Sequence, residues 1–108
     1  MGIQFSKGFE PTLFESIDEA LIATLGKVTV QTFYYQMTEA HKITEAQLSH
    51  SASKVVQYLK DLLGEAGFQT LEKPMISSIK ARFEISENVH SLPQIMDLAK
   101  RKYLQESL

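Results

Sequence analysis

The chain has no cysteine, and that absence excludes disulfide bridges, thiolate metal sites and a cysteine nucleophile together. It fits a reducing compartment, so a cytoplasmic location is expected. Positive charge is also in short supply: 11 Lys and Arg against 13 Asp and Glu give a formal net charge of −2. The general attraction to phosphates on which nucleic-acid binding rests therefore has no global support. Residues 1–10 lack the apolar core of a signal peptide, and no later stretch approaches the apolar length of a membrane span. Met1-Gly2 followed by Ser6 is only a loose match to a myristoylation signal. There is no phosphate-cradling glycine loop, since Gly64 and Gly67 bracket only Glu65-Ala66, without the lysine and hydroxyl such a loop needs. No segment alternates like a strand, and no internal repeat or low-complexity tract is present.

What remains is an ordinary globular balance, 44% apolar and 22% charged over 108 residues. A chain of that length can bury roughly two-thirds of its unfolded surface in one core, so a single domain over 1–108 is expected. Residues 1–8 and the last few offer little to anchor them.

Caps and breakers divide the chain into segments whose apolar residues repeat near the helical period. Thr12-x-x-Glu15 is a capping-box signature, and from it Leu13, Ile17, Ala20, Leu21 and Thr24 share one face until Gly26 ends a helix over 12–25. A second helix, 27–41, carries Val30, Phe33, Tyr34, Met37 and Ala40. Thr44-x-x-Gln47 caps a short turn. Ser49 or Ser51 then starts a third helix, with Ala52, Val55, Val56, Leu59, Leu62 and Leu63 inward and Gly64 at its end.

A fourth helix, near 66–83, aligns Phe68, Leu71, Met75, Ile76, Ile79 and Phe83; Pro74 within it removes an amide donor and predicts a kink or a break. Ser91-x-x-Gln94, with Pro93 in the first turn, opens a fifth helix with Leu92, Ile95, Met96, Ala99 and Tyr103 inward. No single stripe can be buried alone, so the fold class is all-α: a compact bundle of about five amphipathic helices.

The run Ala20-Leu21, Leu25-Gly26, Phe33-Tyr34-Tyr35-Gln36-Met37, Leu59-Lys60-Asp61-Leu62-Leu63-Gly64, Gly67, and Leu71-Glu72 through Ile79 resembles the Nitrosopumilus output domains, a family of small uncharacterised archaeal helical modules. The likeness covers roughly residues 10–85. It implies a non-enzymatic output or interaction module of the kind that follows sensory domains in signalling chains, and it carries over no catalytic residue.

Three histidines, His41, His50 and His90, are the natural suspects for chemistry near neutral pH, and each falls at or near a helix end or loop. Glu87-x-x-His90 has the spacing of a carboxylate and imidazole sharing a metal, but a di-iron bundle needs a second such motif and two further carboxylates. No metal and no cofactor is expected. Ser49, Ser51, Ser53, Ser77 and Ser78 sit in no nucleophile elbow and read as caps and polar helix faces. Lys100-Arg101-Lys102 fan around a helix axis instead of forming a stripe. In Phe33-Tyr34-Tyr35, the first two residues face the core and Tyr35 points nearly the opposite way.

The leading expectation is therefore a protein-interaction or regulatory module, not an enzyme, that pairs with itself as a homodimer or docks a partner helix. Its candidate interface comprises Ile22, Tyr35, Leu98, Leu104 and Leu108, the apolar residues that stand off the inward stripes. One alternative is a DNA-binding regulator using helices two and three as a helix-turn-helix, although Lys54, Lys60 and Asp61 supply no arginine to read guanine. Another is a ligand-binding bundle with a pocket among its Met and aromatic residues.

Overall fold

In the computed structural model, residues 8–48 and 50–106 are described, without the side chains of Glu45 and Glu106. The myristoylation-like segment, Ser49 and Leu108 lie outside them. The described residues form five helices and no strand: α1 (Phe9–Leu25), α2 (Lys27–His41), α3 (Glu45–Leu48), α4 (Ala52–Phe83) and α5 (Leu92–Glu106). The bundle measures 38 × 28 × 20 Å.

α1 begins three residues before the expected start. Gly8, at φ +88°, precedes Phe9, and Pro11 sits in the first turn, where a missing amide proton costs nothing. Thr12 consequently lies inside the helix, and its Oγ1 donates to the Gly8 carbonyl at 2.7 Å instead of capping. Its partner in the expected capping box, Glu15, instead accepts from the Arg82 guanidinium at 3.0 Å. α2 occupies the expected span, and Lys42 closes it in the left-handed conformation. The Thr44–Gln47 box is formed as expected: Gln47 N donates to Thr44 Oγ1 at 3.1 Å, and Thr44 N to Gln47 Oε1 at 2.8 Å.

The third and fourth expected helices are the two pieces of α4, which meet at Gly64 with φ +73° and ψ 174°. Gly64 is the one non-helical residue inside α4, so the expected kink or break is there and not at Pro74. Pro74 withdraws an amide from the Thr70 carbonyl, but Thr70 lies on the exposed side, where solvent can take up the bond. Ser51 does not cap α4, since its hydroxyl donates backwards to the Gln47 carbonyl. The Ala52 amide instead donates to Glu10 Oε2 at 3.3 Å. The same device recurs at α5, where the Leu92 amide donates to Glu72 Oε2 at 3.0 Å while Ser91 Oγ accepts from Gln94 N. Carboxylates from other helices thus meet the positive ends of α4 and α5.

α1 lies at the centre, packed on α2, α4 and α5. Its Leu13, Ile17, Ala20 and Leu21 are buried against the six residues expected from the fourth stripe, all of which are buried. Ser78 Oγ donates to the Ser16 carbonyl at 2.6 Å, marking a close approach of α4 to α1. One turn on, Arg82 bonds both Glu15 and Glu19. Phe9 stacks at a tilt on Phe83 and Tyr103, with ring centroids at 5.8 and 5.6 Å. Ile85 and Val89, in the connection before α5, are buried too and extend the core beyond the helical stripes.

Candidate interaction groove

α1 and α2 are joined by a single residue. Gly26 donates its amide to the Ile22 carbonyl at 2.9 Å, ending α1, and accepts from the Val30 amide at 3.2 Å, opening α2. Its φ of +90° is a conformation that side-chain-bearing residues rarely adopt. The two helices therefore fold back as a V, and residues equally spaced from Gly26 meet across it. Eight residues to either side stand Asp18 and Tyr34, and the Tyr34 hydroxyl donates to Asp18 Oδ1 at 2.7 Å. Phe14 lies against the Tyr34 ring, 5.5 Å between centroids.

α2 packs mainly on α1 and the short α3 and touches α4 where His41 meets Tyr58, so much of its outer side stays uncovered. A groove of about 560 Å³ results. Val30 and Leu48 are its most buried lining residues, while Ile22 (37% exposed) and Tyr35 (67%) stand at its edge. Asp18, Lys27 and Gln31 add polar groups to the same lining. Burial, then the bond to Asp18 and its charge, push the Tyr34 hydroxyl well above the ordinary phenol range. Tyr34 therefore remains the donor and Asp18 the acceptor.

Of the five candidate interface residues, the structure brings Ile22 and Tyr35 together in this groove. Leu104 is exposed (52%), but its neighbour Tyr103 touches Phe9 at the opposite end of α1. Phe9 is thirteen residues from Ile22, about 20 Å along a helix. Leu98, expected at the flank of its stripe, is half-buried against the core. The cause is that α5 packs on both α4 and α1, which widens its buried arc. Leu62, expected inward, is exposed beside the Gly64 bend, and Thr24 and Ala40 are exposed as well. Val28, which stood out in no stripe, is the most exposed large apolar residue among those described, at 77%. Asp18 also went unsignalled, although its eight-residue distance from Gly26, matched by Tyr34, was available.

The other candidate chemistry does not converge. His41 packs edge-on against Tyr58 at 5.6 Å, and His50 and His90 are exposed on separate connections. Among the described residues no three His, Asp or Glu side chains are placed to hold a metal ion, and no helix is long and apolar enough to cross a membrane. The pair considered as a helix-turn-helix is separated by residues 42–51, including α3, where that motif uses a turn of three or four residues. Lys60, on its supposed reading helix, lies over the Phe68 ring at 5.4 Å. Arg101 pairs with Asp97 at 2.7 Å within α5. No known protein-family model, curated protein or solved structure matches the chain.

Proposed function

We propose that the chain is a non-enzymatic protein-interaction module that pairs with a second copy of itself through the α1–α2 groove. The observation that carries this reading is the exposure of Ile22 and Tyr35 at the edge of a groove that the chain's own helices leave unfilled. Exposed apolar side chains beside a groove with polar groups are the kind of surface on which association sites are built. Charge narrows the choice of occupant. An apolar partner seated over Asp18 would bury its charge with only the Tyr34 hydroxyl to offset it, so a partner that brings a cation is favoured. Lys27, on the same groove, is such a group. A two-fold axis over the groove sets each Lys27 against the other copy's Asp18, the self-complementarity that an isologous interface requires. The resemblance to output modules supports a regulatory role in a signalling chain, and the absence of cysteine supports a cytoplasmic setting.

Light scattering at micromolar concentration tests the proposal. The native chain is expected to be dimeric, Tyr35→Glu monomeric with an unchanged helical spectrum, and Leu104→Glu still dimeric because it lies at the far end of α1. A native chain that is monomeric throughout overturns self-pairing. A Tyr35→Glu variant that dimerises as well as the native chain removes the groove from it.

A further inference from the structure

We infer that Gly64 is a single-residue hinge across which two copies of this chain can exchange halves. The proposal goes beyond the groove and does not depend on it. Gly64 interrupts α4 with φ +73° and ψ 174°, yet α4 is helical on both sides of it. One residue's dihedrals are thus all that separates the bent element from a continuous 32-residue helix. Such a helix would be about 48 Å long, more than the 38 Å longest dimension of the bundle. Straightening therefore cannot occur inside one closed molecule. It swings 65–106 away from 8–63 and leaves both halves with open core faces.

The contacts divide along the same line. Helix capping stays within each half: Glu10 meets the Ala52 amide in the first, and Glu72 meets the Leu92 amide in the second. The Tyr34–Asp18 bond and the His41–Tyr58 contact also lie within the first half. What joins the halves is a face of α1 on the second piece of α4 and on α5: Ser16 with Ser78, Glu15 and Glu19 with Arg82, and Phe9 with Phe83 and Tyr103. A second opened copy offers this same surface, so exchange rebuilds every one of these contacts between chains. The contact specific to the bend is Lys60 over Phe68, since eight residues along a straight helix stand about 12 Å apart. Short hinges invite such exchange once they are strained, as a side chain at φ +73° would strain this one.

Two experiments decide the matter. Nothing lies within 4 Å of a Cβ placed on Gly64, so Gly64→Ala acts on the backbone alone. It disfavours the bend and favours the straight helix, at two hinges per dimer, and should lower the dimer dissociation constant on the order of a hundredfold or more. That dimer should persist in a Tyr35→Glu background, which separates exchange from groove pairing. The second experiment refolds Glu19→Arg and Arg82→Glu chains together. Each alone sets like charges across the α1–α4 face; in an exchanged heterodimer both faces regain an opposite pair. The mixture should form a heterodimer melting above either chain alone. A Gly64→Ala chain that stays monomeric, or a mixture that melts as the sum of its parts, overturns the inference.

Discussion

Replacing Tyr34 with phenylalanine probes the groove's polar floor with the smallest available change, because it removes only the hydroxyl that donates to Asp18 at 2.7 Å. The ring keeps its place beside Phe14. A hydrogen bond to a charged acceptor contributes about 1.5–3 kcal/mol when shielded. This one borders an open groove and Asp18 is half-buried, so the expected loss at neutral pH is about 1 kcal/mol. In a domain of this size that lowers Tm by about 4 °C. The pH dependence is more diagnostic than the magnitude. Burial and Asp18 raise the folded-state pKa of Tyr34 above its ordinary value. The unfolded chain releases this proton near pH ~10 while the folded chain holds it, so the stabilisation is complete below that pH and declines as pH rises through the alkaline range. The phenylalanine variant has no such group to titrate. Urea midpoints of the two proteins, compared at neutral pH and from about pH 9 to 11.5, should converge with rising pH. Parallel curves throughout, or a variant as stable as the native chain at neutral pH, would refute the reasoning.

Three further outcomes are expected. Leu59→Ala should cost about 2–4 kcal/mol in chemical denaturation, because Leu59 is buried in the first piece of α4 and truncation leaves a cavity; exposed Lys60→Ala, losing only its position over Phe68, should cost less than about 1 kcal/mol. Gly26→Ala should cost about 1–3 kcal/mol through its backbone alone, since φ is +90° and a Cβ there meets nothing within 4 Å; a neutral effect would mean the turn between α1 and α2 can be remade. Chelator treatment and added zinc should both leave Tm unchanged, and a rise of several degrees with zinc that is lost in His90→Ala would restore the Glu87–His90 metal site.

The parts of the fold legible in the sequence are those set by local chemistry. The apolar period of α2, the reciprocal Thr44–Gln47 cap and the glycines at 26 and 64 are each written within a few residues, and the structure has them at those places. What could not be read is supplied from a distance. The amides that open α4 and α5 meet Glu10 and Glu72, respectively 42 and 20 residues away, so a search for Ser or Thr beside the helix start misses the cap of α4 and finds only part of that of α5, where Ser91 Oγ accepts from Gln94 N. The exposure of Leu62 and the half-burial of Leu98 have a related cause. A helical wheel says which residues share a face, but not whether one neighbour or two will cover it. α5, held between α4 and α1, buries a residue off its main stripe, whereas the end of the first piece of α4 exposes one on it.

The groove follows the same division. Ile22 and Tyr35 could be singled out because each stands off its own stripe, but their meeting depends on Gly26 folding two helices back within a single residue. Once that bend is fixed, equal distances from Gly26 become spatial neighbours, and Asp18 with Tyr34 becomes a pair with a direction: the phenol donates and the carboxylate accepts. A groove that retains a carboxylate selects among its partners, because an apolar surface lacking a cation must bury Asp18 with only the Tyr34 hydroxyl bonded to it. Apolar area at this site therefore favours association, while Asp18 and Lys27 determine the partner and the register.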